Sequence, residues 1–480
     1  MKSKITAILI GAGNRGLATY GTYALKNPNK LKFIAVAEPV HTRREKFSRL
    51  HKIKKEFQFK DWRELLEQGK IADVAFICTQ DRMHVDPTIK ALKMGYDVML
   101  EKPMAHDIQG CIKIANAVKE TNRILGVAHV LRYTKFFSII KKVVQKGLLG
   151  TIINMSHREN VSWYHIAHSF VRGNWRREDL SSPLILAKCC HDLDLIYWIM
   201  ESLPKKISSF GSLMHFKEEN APKGAPKYCV DGCPAKNSCL YYAPRIYIDI
   251  EPIIQIMTKS DNRGLRFLGN LRRKNLHLLT IISKFIPLLK SLRYWSDWPV
   301  EPLYFGQPEE LSGDFSDDTK YNILKRSPYG RCVYKCDNNV VDHQVVNIEF
   351  RNQTTATLTV HGFSEREGRT LRIDGTKATL IGEFHDCGQK ITLFNHFKGT
   401  EKIILYEKLK IDDAGHGGGD FSFMDSFIQS ILDKREDEVL TGVRDILESH
   451  LMAFAAEKSR KESMVVAMDR FRNDVLLQLK

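Results

Sequence analysis

Apolar residues fall into two different rhythms along the chain. Up to about residue 130, apolar runs at 5–10, 33–37, 74–79, 97–100 and 124–130 predict strands, and amphipathic stretches at 41–55, 61–68, 87–94 and 108–120 predict helices between them. Such uninterrupted runs predict strands covered on both faces, as in a doubly wound parallel sheet. Beyond about residue 150 the rhythm changes. Segments 152–159, 206–216, 344–350, 354–361, 370–373, 378–381, 390–394 and 402–406 are strand-like, and the later ones follow one another without helices. That order predicts a large, mainly antiparallel sheet. Amphipathic helices are expected at 420–432, with Asp420 as its cap, and at 445–461. The expected fold class is α/β: a parallel-sheet domain at 1–128, then an α+β domain at 129–480 carrying an insertion at about 217–335.

Between the first strand and the first helix stand Gly11, Gly13 and Gly16 in G-x-G-x-x-G spacing. The first glycine permits a tight turn, the second lets a pyrophosphate approach the backbone, and the third lets helix pack on strand. The diphosphate would sit on the N–H groups at the helix start. The second strand ends in Glu38, an acid about twenty residues past the glycines. A carboxylate there accepts both ribose hydroxyls of an adenosine and repels a 2′-phosphate, so the reading is a Rossmann domain that prefers NAD to NADP. Ligands of such sheets bind beyond the carboxyl ends of the strands. Those ends carry the glycine loop, Glu38, Thr79–Gln80 and Glu101–Lys102–Pro103.

The chain has 480 residues, a hydrophobic content of 43% and a net charge of +17. Between Lys259 and Arg293 nine basic residues face one acid, a local excess of eight. The charge is thus a local feature and not a nucleic-acid footprint. Residues 265–292 mix basic and apolar positions, broken by Pro287. They are expected to pack an apolar face on their own domain, the alternative being an anionic membrane surface or a partner. Lys2 and Lys4 precede an apolar run too short for a signal peptide, and no stretch is long and apolar enough to span a membrane. Ten cysteines in so long a chain are not a secreted disulfide framework, and the expected location is cytoplasmic. Cys229, Cys233, Cys239, Cys332 and Cys336 have spacings compatible with zinc or a cluster, but free buried thiols without metal are the expectation.

In order along the chain come the glycine loop, Glu101–Lys102–Pro103, Leu131–Arg132–Tyr133, and His191-Asp192-Leu193-Asp194-Leu195 leading to Trp198. Together they resemble the Gfo/Idh/MocA (glucose–fructose oxidoreductase/inositol dehydrogenase) family, over the whole chain except the insertion. The resemblance implies NAD-dependent hydride transfer to or from a hydroxyl or keto carbon of a sugar, cyclitol or derivative. It places Gly11, Gly13, Asn14, Arg15, Gly16, Glu38, Thr79, Gln80, His84, Glu101 and Lys102 at the cofactor. Lys102 is expected to stabilise an alkoxide and His191 to take its proton. Relatives usually carry D-x-G-x-H, but here Ala187 stands at the aspartate position and Lys188 follows, so Lys188 joins the catalytic candidates as a substituted positive charge. Arg132, Tyr164, His165, His168, Arg172, Trp175 and His343 are the expected substrate-side residues; the 163–176 stretch combines ring faces with planar hydrogen-bonding groups, as carbohydrate pockets do. Other readings are an NAD-dependent glycoside hydrolase working by transient oxidation and elimination, and a nicotinamide-sensing regulator without turnover. A small-molecule substrate is the expected partner, and an open sheet face makes a homo-oligomer the expected assembly.

Overall fold

Side chains along β1 (Ile5–Ile10) alternate between two cores, Ala7 and Leu9 facing one and Ile8 and Ile10 the other. That two-sided burial is why the strand is apolar throughout. The computed structural model describes residues 4–249, 251–259, 263–274, 317–385, 388–408, 416–434 and 440–477. β1 is central in a parallel sheet with β2 (Leu31–Ala37), β3 (Gln58–Phe59), β4 (Val74–Ile77), β5 (Asp97–Leu100) and β6 (Leu125–Val127). The spatial order is β3-β2-β1-β4-β5-β6, so strand order reverses beside β1. The crevice at that reversal is where such sheets take ligands. The predicted strands are present. Sequence reasoning missed the two-residue β3, and the run at 124–130 ends early because Val130–Tyr133 curls into a helical turn.

The second sheet has nine strands. They are β7 (Ile152–Ser162), β8 (Pro204–Ser212), β9 (His343–Phe350), β10 (Thr355–Ser364), β11 (Gly368–Gly375), β12 (Ala378–His385), β13 (Gly388–Asn395), β14 (Thr400–Lys408) and β15 (Val466–Ala467), in the order β14-β13-β12-β11-β7-β10-β9-β8-β15. Its pairs are antiparallel except β7 with β10. That one parallel pair sets the carboxyl ends of β7 and β10 side by side. Burial alternates along β9 and β10, the mark of a sheet with one covered face. The cover comes from Lys135–Gln145, Cys190–Met200 and Val443–Glu462, which contribute Phe136, Phe137, Leu193, Ile196, Met452 and Ala455 to the core.

The insertion lies between β8 and β9, and Tyr241, Ala243, Ile246 and Tyr247 anchor its described part in the same core. Arg263–Lys274 is helical; the rest of the basic stretch, from 275 onward, lies outside the described residues. Late in the chain the helix Gly419–Asp433 returns to the first sheet, placing Phe423, Met424, Phe427 and Ile428 against Tyr20 and Phe76. Gly126 in β6 makes room for it, since a Cβ there would stand 2.7 Å from the Phe427 ring. Asp420 is not the cap of this helix. Gly418 holds that position, and the Asp420 carboxylate is turned inward to Arg15 and His416. No helix among the described residues is long and apolar enough to cross a membrane.

Candidate active site

The glycine loop has the shape a dinucleotide requires. Gly11 has φ +94°, and a Cβ there would stand 2.6 Å from the Cys78 carbonyl oxygen; a Cβ at Gly16 would stand 2.2 Å from the Gly11 oxygen. A Cβ at Gly13 would meet nothing within 4 Å, so this side of the loop is open to a pyrophosphate. Arg15–Gly21 is wound as a π-helix, a form that concentrates at functional sites. Glu38, buried at the end of β2, accepts from the Ala12 N–H at 2.7 Å and the Val40 N–H at 3.0 Å. Its carboxylate is thereby fixed beside the loop, where an adenosine ribose would lie. These residues fit NAD.

Two further cofactor candidates hold the loops together. Glu101 accepts from Arg15 at 2.6 Å and from the Tyr20 hydroxyl at 2.5 Å. Burial alone would raise the Glu101 pKa, but Arg15 outweighs it and the group stays below the usual carboxylate range. Arg15 also reaches Asp420 at 2.7 Å, joining the glycine loop to the returning helix. His84 sets its two ring nitrogens 2.7 Å from the Pro103 oxygen and 3.1 Å from the Thr79 oxygen, so it braces the β4 and β5 loops. Thr79 and Gln80 lie in that loop, and the Thr79 hydroxyl donates to the Met83 oxygen.

At the end of β5 the Lys102 ammonium donates to the Ala187 carbonyl at 2.8 Å and forms no ion pair among the described residues. The backbone oxygen of Ala187 therefore meets the lysine where the side-chain carboxylate of D-x-G-x-H is missing. His191 is buried near Lys102, its ring 5.2 Å from His129 and 5.9 Å from His416. Burial, with His129, Lys102 and His416 adding to it, holds the imidazole well below the usual histidine range. Lys188 is not a free positive charge: its ammonium lies 2.8 Å from Glu367 and 3.3 Å from Glu159.

Those two acids form a charged cluster with Arg369, Asp192 and His157, and of these sequence reasoning singles out only Asp192, as part of a motif. Arg369 bridges Glu159 at 2.7 Å and Asp192 at 2.9 Å, and His157 contacts Asp192 at 2.7 Å. Glu367, between β10 and β11, also reaches His165 at 2.8 Å and accepts two hydrogen bonds from Ser162 at 2.8 Å each. No local motif marks this set; the antiparallel β7–β11 pair, which sets Arg369 opposite Glu159, assembles it.

The expected substrate-side residues lie as follows. Arg132 is wholly buried in a two-pronged pair with Asp194, at 2.6 and 2.8 Å, and also donates to the Leu440 carbonyl. Arg172 is equally buried, donating to the Arg331 and Tyr241 carbonyls at 2.7 Å each. Both guanidiniums tie parts of the fold together. His168 contacts the Tyr247 hydroxyl at 2.9 Å and stacks on Tyr329, anchoring the insertion. The Trp175 N–H points to Asp81 at 3.2 Å. Tyr164 is buried edge-on against Trp163, and His343 contacts its neighbour Asp342 at 2.8 Å. Of this group His165 joins the Lys188–Glu367 cluster.

Cys229, Cys233, Cys239, Cys332 and Cys336 are free thiols, and the Tyr228–Arg331 bridge brings two of their segments together. Among the described residues no three His, Cys, Asp or Glu side chains converge as a metal site would require. Elemental analysis of the purified protein is expected to find no stoichiometric zinc or iron, and a chelator to leave the melting temperature unchanged; about one metal per chain would reverse this.

Comparison with known proteins agrees with the geometry. Residues 5–129 match the oxidoreductase family's NAD-binding Rossmann fold and 304–468 its C-terminal alpha/beta domain. The oxidoreductase YteT of Bacillus subtilis (strain 168) is 26% identical over 383 residues, which cover 77% of this chain and 75% of YteT. An oxidoreductase from Agrobacterium radiobacter, solved with NAD+, L-tartaric acid and magnesium, shares the fold with a TM-score of 0.63 at 12% identity, covering 97% of this chain and 99% of that one. Levoglucosan dehydrogenase, solved with NADH and levoglucosan, does so with a TM-score of 0.63 at 14% identity, covering 97% and 99%. The open glycine loop, the fixed Glu38 and the lysine at the β5 end are thus parts of an NAD-binding enzyme, and the chain belongs to the Gfo/Idh/MocA oxidoreductase family.

Proposed function

We propose that this enzyme is a dehydrogenase acting on a hydroxyl or keto carbon of a sugar, cyclitol or sugar derivative. The observation that carries the reading is Lys102. Its ammonium stands beyond the carboxyl end of β5, beside the cofactor loop, with a backbone carbonyl as its contact and no ion pair among the described residues. A cation so placed hydrogen-bonds a substrate oxygen and stabilises the negative charge that develops there as hydride leaves the adjoining carbon. NAD, when bound, supplies the hydride acceptor. The chain's own residues would orient it: the glycine loop would cradle the diphosphate and Glu38 would hold the ribose, with Arg15 and Glu101 fixing the loop. A sugar-like substrate is supported by the resemblance to levoglucosan dehydrogenase.

The test is a panel of sugars, sugar acids, cyclitols and aryl glycosides incubated with the full chain and NAD, or with NADH for the keto forms. Net change in NADH with at least one member is expected. Glycoside cleavage without net NADH would replace the dehydrogenase by a hydrolase.

Cofactor choice follows from Glu38. NADP is expected to bind at least about tenfold more weakly than NAD, because a 2′-phosphate would face a buried carboxylate already fixed by two backbone N–H groups. Titration with both dinucleotides decides this, and equal affinities would remove Glu38 from the role.

A further inference from the structure

The missing aspartate leaves a question of proton transfer. When a hydroxyl is oxidised, its proton must go to a base, and the imidazolium formed on a buried histidine needs an acid beside it. His191, the histidine of the sequence motif, is poorly provided. Its Nδ1 is buried without a hydrogen-bond partner, and among the described residues no carboxylate lies within 4 Å of either ring nitrogen. Its charged neighbours are Lys102 and Arg369, with His129 and His416 beside them. A proton placed there would add a positive charge to an already positive surrounding.

His165 is differently placed. Its Nδ1 lies 2.8 Å from Glu367, whose other oxygen is held by the Ser162 N–H and hydroxyl, so the carboxylate cannot swing away. The His165 side chain is 22% exposed, whereas His191 is 4% exposed as a residue. The charges facing His165 come from three elements: Glu367 before β11, Lys188 after the helix Leu184–Ala187, and Lys102 after β5; its other titratable neighbour is His168. Burial lowers the His165 pKa and Glu367 opposes that fall, with Lys188 and Lys102 acting against it.

We propose that His165, held by Glu367, is the catalytic base that takes the substrate hydroxyl proton, with Glu367 as a positioning residue that replaces the aspartate absent at position 187. This rests on the dehydrogenase reading above. In the oxidative direction the carbinol C–H bond breaks and its electron pair leaves as hydride to NAD, which is reduced. The O–H bond breaks as the carbonyl forms, and the proton goes to Nε2 of His165. Glu367 offsets the imidazolium, and Lys102 steadies the oxygen until the double bond is complete. In the reductive direction the same proton returns to the oxygen.

Two measurements on the full chain with NAD test this. Imidazole NMR titration of the wild type and Glu367→Gln is expected to show His165 titrating above His191, and to show the His165 pKa falling by about one unit in the variant, a tenfold loss of proton affinity. A His165 that titrates below His191, or does not respond to Glu367→Gln, overturns the proposal whatever the substrate proves to be. With any panel member that turns over, His165→Gln and Glu367→Gln are expected to lower kcat at least a hundredfold with NAD affinity within twofold. The acid limb of the pH–rate profile should move to lower pH in Glu367→Gln and persist in His191→Asn. Loss of that limb in His191→Asn, with turnover retained in His165→Gln, gives the role back to His191. A panel silent in both directions overturns the dehydrogenase reading, while the titration still judges the His165–Glu367 pair.

Discussion

Lys102→Ala is expected to lower kcat by about a thousandfold or more, roughly 4 kcal/mol of transition-state stabilisation, while the NAD dissociation constant stays within about threefold. The asymmetry follows from where the ammonium stands. It has no carboxylate to neutralise it among the described residues, and the Ala187 carbonyl is its contact at 2.8 Å. Its charge is therefore available to an oxygen that becomes negative only during reaction, and an interaction stronger in the transition state than in the ground state appears in kcat. Cofactor binding relies on other groups, the glycine loop and Glu38, which the substitution leaves in place. Steady-state kinetics and a separate NAD titration read the two effects. Unchanged turnover, or a parallel collapse of NAD binding, would contradict this assignment.

The second large effect concerns stability. Arg132→Met is expected to cost about 3–5 kcal/mol at neutral pH, because it leaves the fully buried Asp194 carboxylate without its two-pronged partner. The pH dependence gives a sharper check. Burial alone would raise the Asp194 pKa; Arg132, then His129, outweigh it and hold it at about 2, against an ordinary value of 3.8. A depressed carboxylate contributes stability above its unfolded pKa and loses it as pH falls through the folded one. In the wild type about 2 kcal/mol should therefore disappear between about pH 4 and pH 2. In Arg132→Met burial acts unopposed by the arginine, Asp194 takes up a proton at higher pH, and the deficit against wild type should shrink on acidification. Denaturation midpoints of both proteins across this range provide the measurement. A deficit that grows on acidification would show that the pair is not what Arg132 contributes.

The cofactor side of the enzyme was legible because its signals are local. Gly11, Gly13 and Gly16 lie within six residues, Glu38 ends the next strand, and Lys102 sits in a three-residue motif at a strand end. The substrate side was not. Glu367 meets Ser162 and His165 across some two hundred positions, and Arg369 reaches back 177 residues to Asp192. Those meetings depend on β11 pairing antiparallel with β7, which no spacing announces. Arg132 and Arg172 have the composition of sugar-binding arginines, yet both are buried and donate to Asp194, Leu440, Arg331 and Tyr241. A side chain's type shows what it can bind, and its distant neighbours decide whether anything is left to bind with. Asp420 makes the same point: it begins a helix and would serve as its cap, but Arg15, 405 positions away, turns it inward.

The helix Gly419–Asp433 has a consequence for how the protein is made. The cofactor-binding sheet is synthesised first, yet Phe423, Met424, Phe427 and Ile428 that cover one of its faces emerge roughly 300 residues later. At about 10 residues per second the ribosome needs some 30 s to supply them. Through that interval the nascent sheet presents Tyr20, Phe33 and Phe76 on an incompletely covered surface, the kind of surface that chaperones bind and that aggregates when they are scarce. The dinucleotide fold is thus completed only after most of the second sheet has been made.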